Sequence, residues 1–131
     1  MFVRPMVYEK GTARAARVGD GLLSHFARNV NASAGAQTIS VPQILGGLAV
    51  FTGAAGGVTY TTDTAANILA ALPDMDIGDT FSFILSNTAA QVATIAGGTG
   101  VTASGNLTVN ATFRIFVLEK TSSTTMNLYG L

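Results

Sequence analysis

The sequence predicts a mainly β fold, an antiparallel sandwich or jelly-roll-like domain with one short helix and an extended N-terminal arm. Three observations carry this. From residue 38 onward, short β-prone runs recur at about eight to twelve residue spacing, separated by Gly, Asn and Ser. Two runs, 80–86 and 112–119, alternate side chains with the period of two that a strand imposes. Only 64–72 combines helical periodicity with a start and a stop signal.

Residues 1–37 read as an arm and 38–131 as the β-rich domain. In the arm, Arg4-Pro5, Gly11, Gly19, Gly21 and Gly35 interrupt any period, and 29–37 is small and polar. A short helix over 22–28 would place Leu22, Leu23 and Phe26 on one face. Runs 38–41 and 47–52 are candidate strands, 53–57 is a turn rich in Gly, and 58–61 is the returning strand. Asp63 is the expected N-cap of helix 64–72, whose apolar residues are Ile68, Leu69 and Leu72 and whose stop is Pro73.

After a turn at 74–79, the strand 80–86 sets Phe81, Phe83 and Leu85 against Ser82, Ile84 and Ser86. Strands over 90–96, 100–103 and 106–109 follow, with Gly97-Gly98 and Ser104-Gly105 as turns. The run 112–119 sets Phe113, Ile115 and Val117 against Arg114, Phe116 and Leu118. Apolar residues on both sides predict a central strand partly covered on both faces. A strand over 124–130 closes the domain.

A chain of 131 residues, 48% hydrophobic, suits one core. Its charge is unusual: 11% of residues are charged and the formal net charge is zero, where a soluble domain carries about 25%. Neither 29–62 nor 80–113 contains an Asp, Glu, Lys or Arg. Such a surface lacks the repulsion that keeps copies apart, so much of it is expected to be covered by further copies or by a larger assembly. The charges are also segregated, since residues 1–30 hold Arg4, Lys10, Arg14, Arg17 and Arg28 against Glu9 and Asp20. A basic arm lying on an acidic partner and a solvated tail are both consistent with that.

Signals for chemistry are sparse. The chain has no Cys, hence no disulfide, thiolate ligand or Cys nucleophile. His25 is the sole histidine and stands in no triad or nucleophile-elbow pattern, and one His cannot build a His/Cys metal site. Asp74, Asp76 and Asp79 cluster, but without the spacing or final Glu of a helix–loop–helix calcium loop. Turn chemistry is the simpler reading and a cation site the other. Gly97-Gly98-Thr99-Gly100 lacks phosphate-loop spacing and reads as a hairpin. Arg14, Arg17 and Arg28 come without interleaved aromatics, so nucleic-acid binding is not expected. The sequons at Asn31, Asn106 and Asn110 are expected by chance in a chain this rich in Asn, Ser and Thr. The most apolar window, 44–51, is far short of the about 20 residues of a membrane span, and residues 1–30 hold no secretory apolar core. No enzyme activity, cofactor, metal or membrane contact is expected.

The second half of the chain carries a pattern: Thr62-Asp63-Thr64-Ala65-Ala66-Asn67-Ile68, Ala71-Leu72-Pro73, Ile77-Gly78-Asp79-Thr80-Phe81, Asn87-Thr88, Gly98-Thr99-Gly100-Val101-Thr102 and Phe113-Arg114, ending in 122–129. It resembles a β-rich module of small tailed-bacteriophage virion proteins, among them capsid decoration (cement) proteins and some tail-associated proteins. The resemblance implies a homotrimer on the outside of the virion capsid, at local threefold positions. It would bind the major capsid protein, stabilise the shell and reach a neighbouring subunit with its N-terminal arm. If the arm is a clamp, its apolar anchors are Phe2, Val3, Met6 and Tyr8, with Arg4, Arg14 and Arg17 as cationic contacts. Two other classes rank below. A tail-fibre or receptor-binding module would need exposed aromatic platforms, for which three Tyr and no Trp are a poor supply. A small hydrolase would need a convergent polar site, and the sequence shows none.

Overall fold

The computed structural model describes residues 26–131 and, for the preceding segment, the backbone of two strands, β1 (Met6–Glu9) and β2 (Thr12–Ala15). These two pair antiparallel, with Met6 opposite Ala15. The remaining elements are, in order, β3 (Ala27–Asn31), β4 (Gln37–Ile39), α1 (Val41–Leu45), β5 (Gly47–Phe51), β6 (Val58–Thr62), α2 (Ala65–Ala70), β7 (Thr80–Asn87), β8 (Val92–Ala96), β9 (Val101–Gly105), β10 (Thr108–Asn110), β11 (Phe113–Lys120) and β12 (Met126–Gly130). The fold is mainly β, with two sheets and two short helices in a sandwich-like arrangement.

From β3 to β10 the chain changes sheet at every step. Strands β3, β5, β7 and β9 belong to a six-stranded sheet of order β3-β5-β7-β11-β12-β9, and β4, β6, β8 and β10 to a four-stranded sheet of order β10-β8-β6-β4. As far as β8, each crossing and return brings the chain back in the same direction. Strands β3, β5 and β7 are therefore parallel neighbours, and so are β4, β6 and β8. Antiparallel pairing enters only later, where β11 inserts between β7 and β12 and where β10 returns beside β8. β9 then runs parallel to β12 at the far edge.

The expected purely antiparallel pairing is thus corrected to a mixed one. Turns 53–57 and 97–100, read as hairpins, instead carry the chain between sheets. At the second, Gly98 N–H donates to Thr62 Oγ1 at 2.9 Å, and a Cβ there would lie 2.4 Å from the Thr62 carbonyl oxygen, so only glycine fits. Sequence reading carried the arm to residue 37, whereas Ala27–Asn31 pairs with β5 in the sheet. The helix expected over 22–28 lies mostly outside the described residues, and Ala27 and Arg28 open a strand.

Each helix has a local cause. Ser40 and Gln43 form a capping box at α1: Ser40 Oγ accepts from the Gln43 amide, and Gln43 Oε1 accepts from the Ser40 amide at 2.9 Å. This helix was not expected, because the β-branched run 38–41 reads as a strand. α2 was expected, but its N-cap is Thr64 rather than Asp63. Thr64 Oγ1 accepts from Asn67 N–H at 3.1 Å, and Asp63 braces the cap by accepting from Thr64 N–H at 2.8 Å and from Asn67 Nδ2 at 2.7 Å.

The core lies between the sheets. Ile39, Tyr60, Ile95 and Val109 face inward from the four-stranded sheet, and Phe51, Phe83, Leu85, Phe116, Leu118 and Leu128 from the other; all are almost fully buried. Phe51 stacks on Tyr60 across the gap with ring centroids 4.1 Å apart, and Phe83 stacks on Phe116, its register partner, at 5.7 Å. Ile44 and Ile68 tuck the two helices onto the same cluster. At about 1.5–3 kcal/mol for each large side chain removed from water, this burial is the main support of the fold.

Candidate interaction surface

A strand with one face in the core presents every second residue outward. On the six-stranded sheet those outward residues are largely apolar. Leu48, Ile84 and Ile115 stand in register across β5, β7 and β11, and Leu131 adjoins the row through its amide, which bonds the Ile115 carbonyl at 3.2 Å. The adjacent row is Val30, Val50, Ser86 and Phe113, in which Val50 is itself buried. Phe113 is 63% exposed, Leu131 64%, Val30 46% and Ile115 42%. Val117 continues the surface between Ser82 and Tyr129.

Polar groups stand at the margins. Tyr129 O–H donates to Glu119 Oε1 at 2.8 Å and accepts from Asn127 Nδ2 at 2.9 Å, while exposed Arg28 sits on the edge strand β3. An apolar centre with a polar margin is the anatomy of a surface that a partner covers. The outer face of the four-stranded sheet differs. It presents Thr38 beside Thr61, and Thr59 beside Thr94 and Thr108, so its row is hydroxylated and already suited to water. Exposed Val92 is the apolar exception on that face, whereas the six-stranded sheet carries Val30, Phe113 and Ile115 open.

The proposed arm contacts all precede β3 in the sequence. Phe2, Val3, Arg4 and Arg17 lie outside the described residues, as does His25; Met6 and Tyr8 fall on β1 and Arg14 on β2. What sequence reasoning missed was the face itself. Its signal is the apolar residues on both sides of the run 112–119, which predict coverage on both faces, and Ile84 on the otherwise polar side of the half-buried run 80–86. In the structure Phe116 and Leu118 are buried while Phe113 and Ile115 are open.

The acidic turn behaves as turn chemistry. Asp79 Oδ2 accepts from the Asp76 amide at 2.9 Å, Gly78 N–H donates to the Lys120 carbonyl, and Lys120 Nζ donates to the Met75 carbonyl at 2.7 Å. The Asp76 amide, helped by the Lys120 charge, holds the Asp79 carboxyl below the usual carboxylate range. Among the described residues no three His, Cys, Asp or Glu side chains converge on a point where a metal could sit. No described helix is long and apolar enough to cross a membrane. Compared with protein-family models, with curated proteins and with solved structures, the chain matches none.

Proposed function

We propose that the protein is a structural assembly module of the capsid-decoration type, which binds the outer surface of a virion shell through the major capsid protein, as a homotrimer, and stabilises it. The exposed apolar rows of the six-stranded sheet carry this reading. A surface holding Phe113, Ile115, Val30 and Leu131 open to water is costly for a free monomer of nearly uncharged composition, and the cost is recovered when a partner covers it. The resemblance of residues 61–131 to phage virion modules supports the same class of role. The work asked of such a protein is adhesion, for which a flat, rigid, apolar face suffices.

Light scattering of the purified chain, coupled to sedimentation with candidate tailed-phage shells, tests it. A trimer that co-sediments with shells, and an Ile115→Lys variant that stays in the supernatant while remaining folded, are expected. A monomer that ignores shells would overturn the proposal.

A further inference from the structure

We propose that the open end of the sandwich, formed by the edge strands β3 and β4, pairs with the same end of a second copy about a two-fold axis normal to the sheets, centred on Val30 and Thr38. The inference stands on strand geometry and does not depend on the capsid reading.

The backbone decides which groups are free. Ala27 N–H donates to the Gly46 carbonyl, and the Asn31 carbonyl accepts from Thr52 N–H, so residues 27, 29 and 31 turn their amide groups toward β5. By strand alternation Arg28 and Val30 turn theirs away from the sheet. In β4 the Ile39 carbonyl accepts from Asp63 N–H, which turns residues 37 and 39 toward β6 and Thr38 outward. Among the described residues both strands are edges, and both present main-chain groups without a ladder partner at the same end of the sandwich.

The two edges are level. Asn31 Nδ2 donates to Gln37 Oε1 at 3.3 Å, which fixes residue 31 against residue 37 across the gap and leaves Val30 and Thr38 each one step further along. Between them lies a cleft of about 450 Å³, lined by Asn29, Val30, Asn31, Thr38, Ser40 and Gln43 among others, with no charged residue. Gln43 is 7% exposed; its Oε1 serves Ser40, and its Nε2 has no hydrogen-bond partner among the described residues. Asn29 uses its Nδ2 on the Ala27 and Pro42 carbonyls, and its Oδ1 accepts from no donor among the described residues. A side-chain donor and a side-chain acceptor left to water in one uncharged cleft are groups that a symmetric contact can use twice.

The usual guards of an exposed edge, a Lys, a Pro or a bulge, are missing from this end; Arg28 is its one charge. Symmetry keeps that charge from meeting itself. A two-fold centred on Val30 sets Val30 opposite Val30 of the copy and Arg28 opposite the small Ala32, so no like charges face each other. An axis normal to the sheets runs both edge pairs antiparallel at once, extending each sheet into its copy. Within a trimer the copies are related by a threefold, so a two-fold contact of this kind would join one trimer to the next rather than build the trimer itself.

Because the chain contains no Cys, single-Cys variants read the contact directly. Across the axis the Val30 Cα atoms would be about 5.5 Å apart, as in a hydrogen-bonded antiparallel pair, within disulfide reach. Mild oxidation of Val30→Cys, and separately of Thr38→Cys, should yield covalent dimers. Thr59→Cys, on the outer threonine face, should not. In sedimentation velocity, Val30→Pro should weaken self-association at least about tenfold, since it removes two reciprocal hydrogen bonds. Cross-linking of Val30→Cys no greater than that of Thr59→Cys would overturn the proposal, as would self-association unchanged in a folded Val30→Pro variant. Cross-linking confined to Ile115→Cys would also overturn it and place the contact on the outer face. If Val30→Pro does not fold, the cysteine series decides.

Discussion

Asn87 and Tyr60 are polar side chains sealed in the sandwich, and they behave oppositely. Asn87 is fully satisfied: its Nδ2 donates to the Gln91 carbonyl at 2.6 Å and to the Val109 carbonyl at 3.0 Å, and its Oδ1 accepts from Ala89 N–H at 3.2 Å. The bond to Val109 ties β7 to β10 across the sheets. Asn87→Ala should therefore cost about 2 kcal/mol in urea unfolding, because it strands the buried Val109 carbonyl and removes the bonds that hold the 87–91 turn. Tyr60 contributes its ring to the stack on Phe51, while its hydroxyl has no hydrogen-bond partner among the described residues. Tyr60→Phe keeps the stack and removes the unmet hydroxyl, so stability should stay level or rise by about 1 kcal/mol. Burial raises the Tyr60 pKa above the ordinary 10.0. The folded state thus holds this proton more tightly than the unfolded one, a contribution fully present below pH 10 and lost as pH climbs through the raised pKa. The alkaline limb of a stability–pH curve should be shallower in Tyr60→Phe than in the natural chain. Neither residue was legible as a sealed polar group, because burial of a strand residue depends on which sheet lies opposite.

Elements were legible wherever turn residues bound a β-prone run. Runs 47–52, 58–61 and 80–86 became β5, β6 and β7 nearly at their expected limits, since alternation and the flanking Gly, Asn and Asp speak through local sterics. α1 was missed although Ser40 and Gln43 stand at capping-box spacing, because five residues are too few to show a helical period. α2 was placed through its caps, with the capping residue one position off. Thr64→Ala should destabilise by about 1 kcal/mol in thermal unfolding, through loss of the bond to Asn67. Gly98→Ala should cost about 2 kcal/mol or more, since its methyl group meets the Thr62 carbonyl in the turn that carries the chain to the opposite sheet. For the segment before β3, deletion of residues 1–12 should weaken particle binding without lowering the unfolding midpoint if Phe2, Val3, Met6 and Tyr8 act as anchors. Unchanged binding would dismiss them.

At the scale of the whole molecule, the class of fold was legible and the pairing was not. Period-two alternation is identical in parallel and antiparallel sheets, and a Gly-rich turn can reverse a strand or carry it to the facing sheet. The winding of β3 to β8 between two sheets therefore leaves no mark that a local reading can find. The exposed face has the same origin. Ile84, Phe113 and Ile115 are apolar in sequence whether covered or not, and only the assembled sheet shows that they share one uncovered surface with Val30 and Leu48. Scarce charge, noted at the outset, supplies little repulsion to keep such faces apart, which is in keeping with the proposal that a partner covers this one. The most direct measurement is co-sedimentation of the chain and its Ile115→Lys variant with candidate tailed-phage shells, with unfolding midpoints recorded for both. The account predicts that the natural chain pellets with shells and the variant does not, at equal stability, because Ile115 is a surface residue of the folded monomer. Equal pelleting of both, or of neither, would contradict it.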